Sequence, residues 1–175
     1  FYKDIKELKN LKVEAISVHI GSQILSDKPY KKTLDVLEKV INDLNLKLKY
    51  VDLGGGFGIK YEKRDKLINL KNYSKQVQKF KKRINCNIIF EPGRSLIGNA
   101  GVLVTKIQYI KKGYKKDFII LDAGMNDFMR PALYDAKHNI IPVNKINKKS
   151  TKTIEFVGPI CESTCKFTKY KKYQK

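Results

Sequence analysis

The first hundred residues alternate between two kinds of hydrophobic pattern. Short apolar or β-branched runs predict strands at 13–20, 48–53 and 87–90. Between them lie two longer stretches, 30–46 and 72–84, whose apolar residues recur every three or four positions and predict helices. Alternation of strand and helix is typical of parallel βαβ units, so this part is predicted to be α/β.

Beyond Gly101 the pattern changes. Four apolar segments predict strands at 102–110, 118–122, 140–146 and 153–157, and 127–136 is the one stretch long enough for a short helix. Because strands dominate and turns separate them, this half is predicted to be mostly antiparallel β. The simplest division gives one domain at 1–100 and a second, partial β-domain at 101–175.

Composition narrows the class of protein. The 175 residues are 42% hydrophobic, which is enough for a core and excludes a wholly disordered chain. No apolar run approaches the roughly 20 residues that span a bilayer, so we expect no membrane association. The chain opens without a Met or a signal-peptide pattern, and 1–10 predicts the end of a helix already under way; we therefore expect an internal or C-terminal fragment. Three cysteines favour a reducing, cytoplasmic location.

The net charge of +20 gives little information about a partner. Only four of the 37 basic residues are arginines, at 64, 83, 94 and 130, and the lysines are spread in pairs along the whole chain. A nucleic-acid binder concentrates its basic residues on one face and carries a recognition motif, and neither feature is evident. We therefore interpret the lysines as a solvated surface and expect no nucleic-acid partner, although a weak attraction to polyanions would follow.

Each of the three predicted parallel strands ends in a segment suited to chemistry. The first strand is followed by an imidazole and a hydroxyl, in His19-Ile20-Gly21-Ser22-Gln23. The second is followed by glycines whose backbone amides can approach an anion, in Gly54-Gly55-Gly56-Phe57-Gly58. The third is followed by a carboxylate and a guanidinium, in Glu91-Pro92-Gly93-Arg94-Ser95. Ligands of parallel α/β folds bind at these strand ends. Each segment alone also has a plainer interpretation: a core histidine with an ordinary turn, which we favour for the first segment taken alone, a flexible turn for the glycines, and a surface salt bridge beside a Pro-Gly turn for the third.

Two further clusters lie in the second half, at 122–134 and 158–163. Cys161 and Cys165 are four residues apart, but two thiols without a second pair are a weak metal signal, and we expect no metal. A small buried residue is the alternative interpretation of Cys161.

Five motifs follow one another in order: HIGSQ at 19–23, DLGGGFG at 52–58, EPGRS at 91–95, LDAGMNDFMRPALYDA at 121–136 and FVGPICES at 156–163. Together they resemble the diaminopimelate decarboxylases, enzymes with an alanine-racemase-like barrel and a C-terminal β-domain that use pyridoxal 5′-phosphate (PLP). The resemblance implies an α/β fold in which the last strands of a (β/α)8 barrel precede a mostly antiparallel β-domain. It also implies decarboxylation of meso-2,6-diaminopimelate to L-lysine, the last step of lysine biosynthesis.

The resemblance implies a role for each matching residue. His19 would stack on the cofactor ring and Glu91 would bind the ring nitrogen. The phosphate would be held by Ser22, Gly54, Gly55, Gly56, Gly93 and the backbone of Arg94.

The other implied roles concern the substrate. Arg94, Arg130 and Tyr134 would bind its distal end and carboxylates. Cys161 and Glu162 would act in the active site of the partner subunit of a homodimer, Cys161 as a proton donor to the product and Glu162 at the distal ammonium.

The sequence departs from the family at three places. The Schiff-base lysine, expected in an aromatic-x-x-Lys-Ala context on an early barrel strand, has no match, and neither has a cofactor-contacting tyrosine in a Gly-Ala-Tyr context. Cys165 stands where an Asp is expected. We therefore expect the chain to be inactive alone.

Two alternatives remain open. The first is a related PLP-dependent decarboxylase of a basic amino acid or polyamine precursor; in those relatives an Asp typically follows the cysteine, whereas Glu162 follows Cys161 here. The second is a non-catalytic domain that binds PLP or a polyanion.

Overall fold

A computed structural model describes residues 2–62, 64–144 and 152–170. The chain divides into two compact units, 1–101 and 102–175. The first contains α1 (Tyr2–Lys6), β1 (Ala15–Ser17), α2 (Lys28–Asp43), β2 (Tyr50–Asp52), α3 (Leu70–Ile84), β3 (Asn87–Ile89) and α4 (Arg94–Ile97). The second contains β4 (Ile107–Lys111), β5 (Lys116–Leu121), α5 (Arg130–Tyr134), β6 (Thr153–Val157) and β7 (Lys166–Tyr170).

The first unit is built on a parallel sheet. Its strand order is β1-β2-β3, and the register pairs Ile16 with Val51 and Val51 with Ile88. Val51 is fully buried at the centre of the unit's core. Because all three strands run in the same direction, the loops that follow them lie at one edge of the sheet.

Helices α2 and α3 form because their apolar residues occupy one face at helical spacing. In α2 the buried residues are Tyr30, Leu34, Leu37 and Ile41, and in α3 they are Tyr73, Val77 and Phe80. Pro29 lies in the first turn of α2, where it costs no hydrogen bond. The Asn69 side chain caps the start of α3, and Asn85 ends it in a left-handed conformation.

Polar contacts fix α2 against α3. The Asp27 carboxylate accepts hydrogen bonds from the side chains of Asn72 and Gln76. In the last turn of α3, Arg83 donates two hydrogen bonds to the Glu38 carboxylate at 2.6 and 2.7 Å. This pair holds the pKa of Glu38 below its usual range, chiefly through the hydrogen bond from Arg83.

The second unit contains a four-stranded sheet of order β4-β5-β6-β7. β4 and β5 are antiparallel, as are β6 and β7, whereas the central pair β5–β6 is parallel. Alternate residues of β5 and β6 point to a common apolar layer formed by Ile119, Leu121, Ile154 and Phe156. The predicted class, α/β followed by a mostly antiparallel sheet, is confirmed.

The structure corrects several predicted elements. Residues 140–144 form no strand, and Pro142, which lacks an N–H, interrupts this segment; residues 145 and 146 of the same prediction lie outside the described residues. β4 begins at Ile107 rather than at 102, and Val102 and Val104 are exposed. β7 was not predicted, because lysines interrupt its apolar residues. In the part of the chain that the structure describes, no helix has the length and apolarity to cross a membrane.

Tyr30 and Tyr73 make the first unit sensitive to alkaline pH. Burial raises the pKa of Tyr30 to about 12, and it also raises the pKa of Tyr73. The folded state keeps the Tyr30 proton at a pH where the unfolded chain has lost it, so its contribution is complete below pH ~10 and is lost as the pH rises toward 12. We expect the free energy of unfolding of Tyr30→Phe to fall less steeply over this range than that of the wild type, measured by urea denaturation.

The exposed Tyr114 provides the control, because Tyr114→Phe should reproduce the wild-type slope. Lysine titration is common to all three proteins and cancels in the comparison. Parallel profiles for wild type and Tyr30→Phe would contradict the assignment.

Candidate active site

Three loops meet at the carboxyl edge of the parallel sheet. The β1 loop (18–25) follows β1, the glycine loop (53–58) follows β2, and the β3 loop (90–93) follows β3. The glycine loop lies between the other two, as β2 lies between β1 and β3. The sheet therefore brings together the three segments that the sequence singled out.

The glycines are required because neighbouring backbone occupies the space of their side chains. A Cβ on Gly55 would lie 2.1 Å from the carbonyl oxygen of Glu91. A Cβ on Gly54 would lie 2.5 Å from the oxygen of Val18. Gly54 also has a φ of +64° and Gly56 one of +86°, a region that side chains rarely adopt. Only glycine fits this packing.

The carbonyls of these glycines face into the protein. Gly54 accepts a hydrogen bond from the Glu91 N–H, Gly55 from the Tyr30 hydroxyl and Gly56 from the Ile24 N–H, each at 2.9 Å. In a trans peptide the next N–H points opposite to the carbonyl, so the N–H groups of Gly55 and Gly56 point away from these partners. No hydrogen bond among the described residues uses either N–H. Two adjacent donors of this kind suit an anion such as a phosphate.

The predicted residues of the first unit are arranged around this loop. The exposed His19 lies beside Gly54, with its Nδ1 3.2 Å from the position of a Cβ there. Glu91 joins the loop through its backbone and has an exposed side chain. Ser22 is exposed in the β1 loop. Gly93 precedes α4, and nothing lies within 4 Å of a Cβ built on it, so packing does not require a glycine there.

Arg94 is held by two neutral groups. Its Nη1 donates a hydrogen bond to Oε1 of Gln23 at 3.2 Å, and its guanidinium carbon lies 5.8 Å from the centre of the Tyr61 ring. None of the ion pairs among the described residues includes Arg94. Its charge is therefore available to an anionic group.

Three residues that shape this site have no predicted role in the sequence motifs. Tyr30 holds the Gly55 carbonyl, and Gln23 holds Arg94. The Asp52 carboxylate accepts hydrogen bonds from the Gly54 N–H at 2.8 Å and the Ser17 hydroxyl at 3.2 Å, which fixes the start of the glycine loop. Asp52 and Gln23 lie within the quoted motifs, whereas Tyr30 has the pattern of a core residue.

The second unit brings together its own two motifs. β5 and β6 are parallel, so the segments that follow them lie at the same edge of the sheet. A Cβ on Gly158 would lie 2.7 Å from the Ala123 oxygen, and one on Gly124 would lie 2.9 Å from the Ile160 side chain. The segments 122–127 and 158–165 therefore pack directly on each other.

Cys161 and Glu162 are exposed on the second of these segments. The Ser163 hydroxyl donates a hydrogen bond to Oε1 of Glu162 at 3.0 Å, and this bond is the main reason why the pKa of Glu162 is lowered. The ionised carboxylate is suited to an ammonium ligand. Cys165, in contrast, is a buried residue packed against Gly158.

Arg130 and Tyr134 lie on α5. The Arg130 guanidinium carbon is 6.0 Å from the centre of the Tyr134 ring, and its Nε contacts Nε2 of His138 at 3.4 Å. No hydrogen bond or ion pair within the described ranges joins either residue to Cys161 or Glu162. No group of three or more His, Cys, Asp or Glu in these ranges has the arrangement of a metal site.

Comparison with known proteins gives a consistent family. The diaminopimelate decarboxylase of Aquifex aeolicus (strain VF5) is 42% identical over 165 residues, covering 93% of this chain and 39% of that protein. The structure is similar to the crystal structure of a point mutant of the Helicobacter pylori diaminopimelate decarboxylase complexed with L-lysine. The TM-score is 0.89 at 34% sequence identity, and the match covers 99% of this chain and 43% of the Helicobacter pylori chain. The M. jannaschii diaminopimelate decarboxylase in co-complex with L-lysine has a TM-score of 0.86 at 32% identity, with coverages of 99% and 42%.

The chain thus spans about two fifths of the length of the relatives it resembles. The family model described as "Pyridoxal-dependent decarboxylase, C-terminal sheet domain" matches residues 8–174, nearly the whole chain. The chain therefore belongs to the pyridoxal-dependent decarboxylase family.

Proposed function

We propose that this chain is the C-terminal part of a PLP-dependent diaminopimelate decarboxylase, which converts meso-2,6-diaminopimelate to L-lysine in the last step of lysine biosynthesis. The enzyme is proposed to be a cytoplasmic homodimer with shared active sites. The observation that carries the proposal is the meeting of the three strand-end loops around Gly54, Gly55 and Gly56, where two backbone N–H groups donate no hydrogen bond to any described residue.

The first unit fits the phosphate of PLP. The cradle around Gly55 has no room for a side chain and offers the Gly55 and Gly56 amides to an anion. The Ser22 hydroxyl and the backbone of Gly93 and Arg94 would complete the phosphate site. When bound, PLP accepts the electron pair released as the substrate loses carbon dioxide.

His19 and Glu91 would act on the cofactor ring. The His19 imidazole would stack on its face, because it lies beside the phosphate cradle at Gly54. The Glu91 carboxylate would hold a proton at the ring nitrogen, since an adjacent negative charge favours the protonated form.

The remaining site residues would recognise the amino-acid substrate. Arg94, Arg130 and Tyr134 would bind carboxylates and the distal end. Glu162, with its lowered pKa, would bind the distal ammonium, and the Cys161 thiol would donate a proton to Cα of the product. Cys161 and Glu162 would serve the active site of the partner subunit.

We further propose that residues 1–100 form the last strands of a (β/α)8 barrel and that 101–175 belong to the C-terminal β-domain. Within the described residues, β1 and β3 pair only with β2, so each has one open edge that neighbouring barrel strands would cover. The part of the relatives' length that this chain does not match would supply those strands and the Schiff-base lysine.

A decarboxylase of another basic amino acid is the second candidate. In that branch an Asp is typical after the cysteine, and Glu162 at this position favours diaminopimelate. The two candidates therefore differ in substrate, not in cofactor.

The glycine cradle is tested by adding one methyl group. Gly55→Ala in the full-length protein should raise the Kd for PLP tenfold or more, a loss of about 1.4 kcal/mol, because the new Cβ would lie 2.1 Å from the Glu91 oxygen and force the loop to move. PLP absorbance titration measures the Kd, and thermal unfolding shows whether the variant folds.

Gly101→Ala is the matched control, since nothing lies within 4 Å of a Cβ there. It should bind PLP as the wild type does. Unchanged binding by a folded Gly55→Ala protein would remove the glycine loop from the cofactor site.

Turnover separates the candidate functions. The full-length protein with PLP should release carbon dioxide and L-lysine from meso-2,6-diaminopimelate, and Glu91→Gln should lower kcat by at least about tenfold through loss of the charge at the ring nitrogen. The 175-residue chain alone should show no turnover above background, since the Schiff-base lysine is expected elsewhere.

The same turnover assay with ornithine, arginine and lysine as substrates distinguishes the two candidate decarboxylases. Preference of the full-length protein for one of them would favour the second candidate, and PLP binding without turnover would indicate a non-catalytic binder. Turnover by the 175-residue chain alone would contradict its proposed status as a fragment.

A further inference from the structure

One carboxamide, that of Gln23, connects the β1 loop with the segment after the glycine loop and with α4. Its Nε2 donates a hydrogen bond to the Ile59 carbonyl at 2.6 Å, and its Oε1 accepts one from the Ile59 N–H at 3.1 Å. The same Oε1 accepts the hydrogen bond from Arg94 at 3.2 Å. All three contacts are partly buried.

The Ile59 backbone fixes which way this carboxamide faces. Reversal of the amide would place its NH2 group against the Ile59 N–H and its oxygen against the Ile59 carbonyl. The backbone contacts therefore present the oxygen, and not the nitrogen, to Arg94. A nitrogen in that place would repel the guanidinium, because both groups are donors.

The backbone of Gln23 is also held in an uncommon conformation. Its φ of +59° lies in the left-handed region, which non-glycine residues rarely adopt. A Cβ on Gly58 would lie 3.2 Å from both the Gln23 carbonyl carbon and its Cδ, so the chain passes closely beneath the side chain. Such a conformation persists only where the surroundings determine it.

The partner offered to Arg94 is neutral, unlike that of Arg83. Arg83 forms a bidentate ion pair with Glu38, which compensates its charge and uses two of its donors. Arg94 gives a single hydrogen bond to an amide, and its remaining donors can meet a carboxylate bidentately.

We propose that Gln23 is a positioning residue that holds the Arg94 guanidinium for a substrate carboxylate without neutralising it. The inference rests on the proposed function, because it takes Arg94 as a ligand of the substrate. Gln23 contacts Arg94 and the Ile59 backbone, and its effect on the substrate is indirect.

Two substitutions in the full-length holoenzyme separate positioning from scaffolding. Gln23→Met removes every hydrogen bond of the carboxamide at similar length. Gln23→Glu keeps an acceptor for the Ile59 N–H but places a negative charge against Arg94. Its second oxygen would face the Ile59 carbonyl, so both variants disturb the loop, and a purely structural role predicts that KM rises only in step with the loss of thermal stability.

The positioning role predicts an order of the two variants in KM that their thermal stability does not follow. We expect Gln23→Met to raise KM for meso-2,6-diaminopimelate about tenfold, and Gln23→Glu to raise it further, because its carboxylate competes with that of the substrate. The kcat should change less than KM, and the Kd for PLP should stay within about twofold in both variants. Glu38→Gln, which removes the charge that pairs with Arg83 between α2 and α3, is the control and should leave KM unchanged.

A double-mutant cycle tests whether Gln23 acts through Arg94. Gln23→Met should add no further increase in KM once Arg94→Lys is present, since the group it positions is gone. Calorimetric titration of L-lysine into each holoenzyme gives a second readout and should follow the same order as KM.

The outcomes are distinct. A wild-type protein without turnover contradicts the proposed function itself. If the wild-type protein turns over the substrate, two results would contradict the inference. One is a smaller rise in KM for Gln23→Glu than for Gln23→Met, and the other is additive effects of Gln23→Met and Arg94→Lys on KM.

Discussion

The carbonyl oxygen of Glu91 lies only 2.1 Å from the position that a Cβ on residue 55 would occupy, and the candidate site of the first unit depends on this close approach of two backbones. The parallel pairing of β2 with β3 sets the distance between these backbones, and glycine makes it possible. The same packing uses the carbonyls of Gly54, Gly55 and Gly56 for internal hydrogen bonds and leaves the N–H groups of Gly55 and Gly56 without an acceptor among the described residues. The close packing and the two unused donors thus have one cause, the absence of side chains from this loop.

Much of the fold could be predicted, because it follows from local patterns. The apolar stripes of α2 and α3 and the alternation with short strands gave the parallel unit correctly. Errors occurred where an apolar run did not pair, as at 140–144 beside Pro142, or where lysines masked a strand, as in β7. Strand pairing is a non-local property, and a period-two pattern reports it only when one face is buried.

The candidate site was predictable in its motifs but not in its contacts. The order of the five motifs identified the residues that the sheets then bring together within each unit. The role of Gln23 depends on a left-handed backbone at that residue and on the Ile59 peptide 36 positions away. Neither is encoded in residue spacing, so such supporting residues become visible only in three dimensions.

The parallel pairing of β5 with β6 has a consequence for the order of folding. β4–β5 and β6–β7 are antiparallel neighbours joined by short connections, whereas residues 122–152 separate β5 from β6. Closing a long connection costs more chain entropy than closing a hairpin, so non-local pairs of this kind tend to form late. Gly158 meets Ala123 only after that step. The surface that carries Cys161 and Glu162 is thus expected to be among the last parts of this unit to assemble during synthesis.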